Sequence, residues 1–334
     1  MNIQIPTGYY PILSIRDTQI AIKLLKNYFQ DALEEKLSLM RVSAPMLVFS
    51  DSGLNDGLSS PEQPVLFDVP NIGRKVEIVY SLAKWKRYAL DQYGFKIGEG
   101  LFTDMNAVRP EEELDNIHSI YVDQWDWERI IMREERSIET LVQTAKRLYD
   151  ILKELERKIV ERFPKLECYL PKNFKVISTQ ELIDAYPGLS EKEREYEISR
   201  KYKAVFLTQI GDVANNGEKH GARAPDYDDW TMNGDLILYY PVLDCAMEIT
   251  SMGVRVDADS LRSQAQKAGC KEILELPYHR AVLDELLPYT IGGGLGQSRI
   301  CMFLLNKAHI GEVHVSPWSQ ETMDACVRAG IPLL

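Results

Sequence analysis

The sequence lacks the features that would place the chain in a membrane, outside the cell or around a structural metal. No stretch reaches the roughly 18 consecutive apolar residues that a membrane-spanning helix needs. Residues 1–6 lack the basic and then apolar order of a signal peptide. The five cysteines have no Cys-x-x-Cys spacing, and the five histidines have no metal-ligand spacing. We therefore expect a cytoplasmic chain with reduced thiols and no membrane partner.

The chain also has little positive charge. Asp and Glu outnumber Lys and Arg by 50 to 39, which gives a net charge of −11 without any long basic tract. Because affinity for nucleic acids depends on Lys and Arg neutralising phosphates, we expect no nucleic-acid partner. Hydrophobic residues make up 45% of the 334 residues, enough for a sizeable core. Since no repeat or low-complexity linker divides the chain, we predict one domain over residues 1–334.

Hydrophobic periodicity and turn residues predict alternating strands and helices. Asp17 and Thr18 could cap a helix that runs to Leu37, followed by a strand and a mobile loop at residues 50–60. The further predictions are strands at 74–80, 101–109, 118–129, 204–208, 235–243 and 246–256, helices at about 81–87, 134–162, 179–202 and 258–287, a long loop at 211–234, and a helix from Gln297. We expect an α+β fold in which helices flank an antiparallel sheet.

A glycine-rich segment at residues 292–299 ends on Arg299. Glycines let the backbone approach a ligand closely, and arginine offers a fork of donors that fits phosphate. The segment has neither a P-loop ending nor Rossmann spacing. Alone it could be a flexible loop entering a helix, but Arg109 and Glu111 in an Arg-x-Glu strand upstream favour a nucleotide site. This order resembles the ATP site of class II aminoacyl-tRNA synthetases.

Residues 120–128 predict a polar surface on one face of a strand. Alternate residues of a strand share a face, which groups Gln124, Asp126 and Glu128. The other face carries Trp125 and Trp127 together with Asp123. The polar face could be the solvent side of the sheet, but the mixed character of the opposite face favours a floor for ligand binding.

Two more acidic positions suggest a place for a metal. Asp235 and Glu248 lie on consecutive predicted strands near the glycine-rich segment. Mg²⁺ prefers a few carboxylate oxygens together with phosphates and water, so these residues could bridge to ATP. Either could instead be a structural partner for a base such as Arg255. The segment 223–230 combines three acids with aromatic residues and Arg223. This composition favours recognition of an ammonium-bearing ligand.

A closer resemblance covers nearly the whole chain. The segments 80–87, 121–128, 223–230, 233–235, 251–259 and 291–299 resemble the ammonia-dependent (A-type) asparagine synthetases, a family similar to the catalytic domain of aspartyl-tRNA synthetase. The resemblance implies a class II synthetase-like fold and the conversion of L-aspartate, ATP and ammonia into L-asparagine, AMP and pyrophosphate through β-aspartyl-AMP. Residue 2 is Asn, so the amino-terminal catalytic cysteine of glutamine-using synthetases is absent.

The resemblance also implies residue roles. Arg109, on the α-phosphate, and Arg299, on the terminal phosphate, would be catalytic together with Lys86 and Gln124. The aspartate site would use Asp56, Lys86, Gln124, Asp126, Arg223, Asp228, Ser251, Arg255, Gly292 and Gly293. ATP or AMP would contact Arg109, Glu111, Asp235, Glu248, Gly294, Gly296 and Arg299, with Mg²⁺ on Asp235 and Glu248. The family further implies a homodimer built on residues 20–47.

Two substitutions depart from the family pattern, because Tyr80 stands where members carry His and Thr250 where they carry Ser. The loop at 50–60, which contains Asp56, is expected to close over aspartate, although an ordinary surface connection has the same composition.

Two alternative functions stay open at this point. One is an aspartate-adenylating paralogue with another acceptor, and the other is an inactive ligand-binding protein. The second is disfavoured because Arg109, Asp235, Glu248 and Arg299 are all present.

Overall fold

The computed structural model describes residues 3–56 and 63–334, and strands dominate its centre. Part of the predicted loop at 50–60 therefore lies outside the described residues. The strands are β1 (Leu39–Arg41), β2 (Leu47–Phe49), β3 (Leu66–Val69), β4 (Arg74–Ile78), β5 (Gly100–Val108), β6 (Tyr121–Ile130), β7 (Lys175–Ser178), β8 (Ala204–Thr208), β9 (Asp228–Tyr240), β10 (Cys245–Arg255) and β11 (Thr290–Gly296).

An eight-stranded sheet has the order β1-β5-β6-β11-β10-β9-β8-β7. The six central strands pair antiparallel to one another, and only the outermost pairs, β1 with β5 and β7 with β8, are parallel. A small antiparallel sheet has the order β2-β4-β3. The predicted α+β class with a mainly antiparallel sheet is confirmed.

Helices flank the large sheet. They are α1 (Ile15–Leu37), α2 (Ala83–Gln92), α3 (Ile138–Arg162), α4 (Thr179–Ala185), α5 (Glu191–Tyr202), α6 (Ala258–Ala268), α7 (Pro277–Leu283), α8 (Gln297–Leu304) and α9 (Gln320–Arg328). Among the described residues, no helix combines the length and the apolar character that crossing a membrane requires. Helix α1 begins one turn earlier than predicted, because the Ser14 hydroxyl, rather than Asp17, caps it by accepting a hydrogen bond from the Asp17 backbone N–H.

The main core lies between one face of the sheet and helices α1, α3 and α8. The alternation predicted for β6 is confirmed here, since Trp125 and Trp127 are fully buried in this core. The Trp125 ring stacks on Phe29 of α1 with centroids 4.4 Å apart. The aromatic face of β6 therefore secures the sheet to the helices, and its polar face is left for the other side.

Three predicted elements differ in the structure, and β3, β7 and α9 were not predicted. The glycine-rich segment is itself the central strand β11, paired on both sides, rather than a loop that enters a helix. The predicted loop at 211–234 ends early, because β9 already begins at Asp228. The single helix predicted at 179–202 is two, α4 and α5, since Pro187 and Gly188 interrupt it and Ser190 opens a second capping box.

Candidate active site

A polar cavity of about 380 Å³ opens over β6, β10 and β11. Its lining brings together most of the residues that the sequence singled out. The predicted residues that line it are Asp56, Lys86, Arg109, Gln124, Asp126, Arg223, Asp228, Glu248, Ser251, Arg255, Gly293, Gly294, Gly296 and Arg299. These side chains come from segments more than 200 residues apart in the chain, so the sheet assembles the cavity.

Three predicted residues do not line the cavity. Glu111 is exposed, whereas its neighbour Glu112 lines the cavity and lies 3.7 Å from Arg109 Nη1. The turn that follows β5 turns Glu112, and not Glu111, towards the arginine. Gly292 lies beneath the cavity against the Glu128 carboxylate, and Asp235 is paired with Arg223 behind the lining.

Arg255 is the centre of a buried charge network. Its Nε and Nη2 donate to the Glu128 carboxylate at 2.9 and 2.7 Å, and its Nη1 donates to Asp228. Burial raises the pKa of Glu128, but the charge and hydrogen bonds of Arg255, together with Lys86 and Thr290, outweigh burial and hold that pKa below its usual value. Asp235 and Glu248, considered as partners of Arg255 from the sequence, are not its ion-pair partners. Among the described residues, three of its five N–H groups have an acceptor, which leaves two for a ligand.

Lys86 projects from α2 into the same region and is almost fully buried. Its ammonium donates to the Gly293 carbonyl at 2.9 Å and lies 3.4 Å from Asp126 Oδ2. Burial lowers its pKa, Asp126 opposes that shift, and Arg255 adds to it. An anionic ligand would raise this pKa again by stabilising the charged ammonium, so the position favours a carboxylate.

Arg223 bridges the cavity wall to the acidic pair on β9 and β10. It donates to Ser251 Oγ and, at 2.5 Å, to Asp235 Oδ1. Burial raises the pKa of Asp235 to about 6, with Arg223 lowering it and the nearby Glu248 carboxylate raising it. Two carboxylates that repel each other in this way would gain from a cation between them.

Two further arginines, Arg299 of α8 and Arg109, line the cavity. Arg299 donates from Nη1 to the Glu248 carbonyl at 3.1 Å and from Nε to the Ile117 carbonyl at 3.4 Å. Arg109 has its guanidinium 4.8 Å from the centre of the Tyr80 ring. Helix α8 begins at Gln297, as predicted, and directs its amino terminus to this region.

Gly292 and Gly294 of β11 are required because side chains from β6 occupy the space next to them. A Cβ at Gly294 would lie 2.4 Å from Gln124 Oε1, and one at Gly292 would lie 1.9 Å from Glu128 Oε2. The backbone of β11 therefore forms the floor of the cavity, and polar side chains of β6 lie against it.

Sequence reasoning missed several residues of the site. Asp123, placed on the opposite face of β6, also lines the cavity, where it accepts a hydrogen bond from the Ser298 backbone N–H at 3.1 Å. Tyr227 lines the cavity too, and burial and the nearby Asp56 carboxylate raise its pKa well above the usual value. Its position between Asp226 and Asp228, in the segment 223–230, was the sequence signal that could have identified it.

A second buried cluster supports the cavity from behind. Asp226 Oδ2 accepts a hydrogen bond from Lys84 Nζ at 2.6 Å and lies 2.8 Å from His279 Nε2. Burial raises the pKa of Asp226, but the Lys84 charge and His279 outweigh it and lower that pKa to about 2. Because Asp226 precedes Tyr227 and Asp228, this cluster fixes the segment that forms one wall.

Another group of potential metal ligands lies away from the cavity. Glu191 and Glu195 of α5 approach His220, with ligand atoms within 4.8 Å of one another. Among the residues that the structure describes, this is the one such group of three or more His, Cys, Asp or Glu side chains. None of its members lines the cavity.

Comparison with known proteins identifies the family that the chain resembles. The family model AsnA, described as aspartate-ammonia ligase, matches residues 16–330. The aspartate–ammonia ligase of Clostridium perfringens (strain 13 / Type A) is 55% identical over 331 residues, covering 99% of this chain and 98% of its own. That of Ruminiclostridium cellulolyticum is 53% identical over 98% of both chains. The Levilactobacillus brevis enzyme is 50% identical over the full length of both.

Solved structures show the same fold at low identity. An asparaginyl-tRNA synthetase of Entamoeba histolytica in complex with asparaginyl-adenylate superposes with a TM-score of 0.67 at 15% identity, covering 92% of this chain and 68% of that chain. The Pyrococcus horikoshii enzyme, also complexed with asparaginyl-adenylate, gives a TM-score of 0.66 at 15% identity, over 92% of this chain and 70% of that chain. The class II synthetase-like fold is thereby confirmed, and the family match over nearly the whole length shows that the chain belongs to the aspartate–ammonia ligase family.

Proposed function

We propose that this aspartate–ammonia ligase makes L-asparagine in the polar cavity by way of β-aspartyl-AMP. The aspartate β-carboxylate would attack the α-phosphorus of ATP and release pyrophosphate. Ammonia would then attack the activated carbonyl and release AMP. The observation that carries this proposal is the cavity itself, in which Lys86, Arg223 and Arg255 lie beside Arg109 and Arg299 without a serine or cysteine nucleophile being needed.

The buried bases and acids support an aspartate subsite. Aspartate carries two carboxylates and one ammonium, and the lining offers cations and anions interleaved over a few ångströms. Glu128 and Asp228 hold the orientation of Arg255, and two of its donors have no acceptor in the part of the chain that the structure describes. Lys86 is suited to the reacting β-carboxylate, because an anion would offset its loss of hydration. Asp56, Asp126 and Asp228 are the acids proposed for the ammonium, with Gln124 and Ser251 as neutral partners.

The two cavity arginines support the adenylation step. Charge builds on the phosphate oxygens during an in-line displacement, so fixed cations lower its barrier. We assign Arg109 to the α-phosphate and Arg299 to the terminal phosphate. Glu112, which lies next to Arg109, replaces Glu111 as the acid nearest the nucleotide. The solved structural neighbours contain an asparaginyl-adenylate, a mixed anhydride of the same chemical class as the proposed intermediate.

Glu248 and Asp235 fit a magnesium ion that accompanies ATP. Glu248 lines the cavity and its charge raises the pKa of Asp235, so a cation near both would relieve their repulsion. Mg²⁺ supplies charge neutralisation for the phosphate oxygens when it is bound. Arg223 already balances Asp235, so Glu248 is the principal ligand in this proposal.

Two assays test the proposed function together. Exchange of labelled pyrophosphate into ATP should require aspartate, and asparagine should form with ammonium but not with glutamine as the nitrogen source. Ammonium-dependent asparagine formation that releases ADP and phosphate would exclude the adenylate route. Exchange without asparagine formation would show that another molecule accepts the aspartyl group.

Assembly and location complete the proposal. We propose a single domain that forms a homodimer through α1 and β1, because Ile20, Leu24 and Met40 are exposed apolar residues in that segment. A cytoplasmic location agrees with the five cysteines, all of which are free. Nucleic acid is not proposed as a partner, given the net charge of −11.

A further inference from the structure

Arg109 is held in an unusual way for an arginine that lines a cavity. Its guanidinium carbon lies 4.8 Å from the centre of the Tyr80 ring, and Tyr80 is 9% exposed. Its Nε is buried and has no hydrogen-bond partner among the described residues. The Glu112 carboxylate is 3.7 Å from Nη1, beyond hydrogen-bond distance. The guanidinium therefore lies over the Tyr80 ring and near the Glu112 carboxylate, and neither group accepts a hydrogen bond from it.

An aromatic face suits an arginine whose donors are needed by a ligand. The electron-rich face of a ring attracts a cation, yet it takes up none of the five N–H groups. A carboxylate in the same place would occupy donors and neutralise part of the charge. The Tyr80 ring can thus restrict the rotamers of Arg109 while leaving its N–H groups available for phosphate oxygens.

The backbone of Tyr80 is itself fixed. Its N–H donates to Asn55 Oδ1 at 2.7 Å, and the same oxygen accepts a hydrogen bond from the Asp56 N–H at 3.0 Å. Asn55 Nδ2 donates to the Ile78 carbonyl at 3.1 Å and to Glu77 at 3.0 Å. Asn55 therefore anchors the backbone of both Tyr80, which lies beneath Arg109, and Asp56, which lines the cavity.

We propose that Tyr80 is a positioning residue for Arg109, and that its ring face holds the guanidinium in the orientation that adenylation requires. The proposal rests on the assignment of Arg109 to the α-phosphate. Tyr80 acts through the arginine and contacts no reacting atom. The ring face is the functional part, so an aromatic replacement should work and an aliphatic one should not.

Three substitutions at Tyr80 separate a positioning role from a packing role. Tyr80→Phe should keep kcat within about threefold, because the ring face remains. Tyr80→Leu should lower kcat about 3- to 30-fold, the range expected for loss of one cation–π contact, with little change in the aspartate KM. Tyr88→Leu, at a tyrosine of α2 that is 38% exposed and lies outside the cavity lining, serves as a control and should leave kcat unchanged.

Tyr80→His adds a readout that packing alone would not produce. A neutral imidazole presents an aromatic face, but a protonated one repels the guanidinium. The kcat of this variant should therefore fall, relative to the parent enzyme, at pH values below about 6.5, because burial and the Arg109 charge lower the pKa of an imidazole here from its ordinary value. A profile parallel to that of the parent would contradict the proposal.

The same experiment distinguishes failure of this inference from failure of the Arg109 assignment. Arg109→Lys is measured alone and combined with Tyr80→Leu, since non-additive effects report coupling between two residues. Full turnover in Arg109→Lys would overturn the assignment of Arg109. A strong loss in Arg109→Lys together with normal turnover in Tyr80→Leu would overturn the role of Tyr80. Additive losses in the double variant would also overturn it, because Tyr80 would then act independently of Arg109.

Discussion

Replacement of Gly292 by alanine tests whether the glycine strand and the buried ion pair depend on each other. A Cβ at Gly292 would lie 1.9 Å from Glu128 Oε2, 2.5 Å from its carboxyl carbon and 2.6 Å from Arg255 Nη2. Glu128 would have to retreat by about 1.5 Å to reach the 3.4 Å of an ordinary contact. Its carboxylate is fully buried and bonded to Arg255 and Thr290, so the new methyl group must break these bonds.

The size of the effect follows from what is broken. Separating a buried ion pair leaves charges without partners and costs about 3–5 kcal/mol. Overpacking alone costs about 1–3 kcal/mol. We therefore expect Gly292→Ala to lower the free energy of unfolding by about 3–5 kcal/mol, measured by urea denaturation, and to raise the aspartate KM because Arg255 loses its orientation.

Gly296→Ala provides the matched control on the same strand. A Cβ there would meet Arg299 side-chain atoms at 3.4 Å or more, and the backbone φ of −64° suits alanine. Its free energy of unfolding should stay within about 1 kcal/mol of the parent. In a Glu128→Ala background, the further loss caused by Gly292→Ala should shrink, because the clashing carboxylate is gone. The reasoning would be refuted if Gly292→Ala and Gly296→Ala lowered the free energy of unfolding equally. It would also be refuted if the losses caused by Gly292→Ala and Glu128→Ala were fully additive.

Four other expectations are open to direct measurement. Arg109→Lys should lower turnover more than it weakens adenine-nucleotide binding, since lysine lacks the donor fork; equal effects in kinetics and calorimetry would count against it. Lys86→Ala should raise the aspartate KM and lower turnover, and steady-state kinetics that match the parent would mean a purely structural lysine. Asp226→Asn should cost about 2 kcal/mol near neutral pH, because a carboxyl with its pKa lowered to about 2 stabilises the fold above its unfolded pKa of 3.8. That difference should shrink as the pH falls below about 4 in urea titrations, and a widening gap would be inconsistent with it. Leu24→Glu should give a monomer by light scattering, and an unchanged mass would locate any dimer contact elsewhere.

Local patterns were sufficient for much of the site. The period-2 alternation of β6 correctly separated Gln124 and Asp126 from Trp125 and Trp127, because a strand buried on one face must keep its large apolar side chains together. The resemblance to the ligase family, which is confirmed, supplied the other predicted lining residues, but it did not supply Glu112, Asp123 or Tyr227. The start of α8 at Gln297 was also predicted from the sequence.

What the sequence could not reveal depends on pairing between distant strands. Glycines lack the side chains that mark a strand, and only the neighbouring β6 and β10 make residues 290–296 one. The partners of Arg255 were missed for a related reason, since Glu128 is 127 residues away along the chain. Glu112 rather than Glu111 lines the cavity because of the conformation of a turn, which the spacing of Arg-x-Glu does not encode.

Helix α2 has a further consequence for the chemical reactivity of the protein. Lys84 and Lys86 are each about 1% exposed, and the adjoining Trp85 and Arg87 are buried as well. Reagents that acylate lysine need an accessible amine, so both side chains should resist modification while the exposed lysines react. Acylation of Lys84 and Lys86, detected as added mass, would then report the separation of α2 from the sheet. The rate of this acylation would measure the opening of the active site without any activity assay.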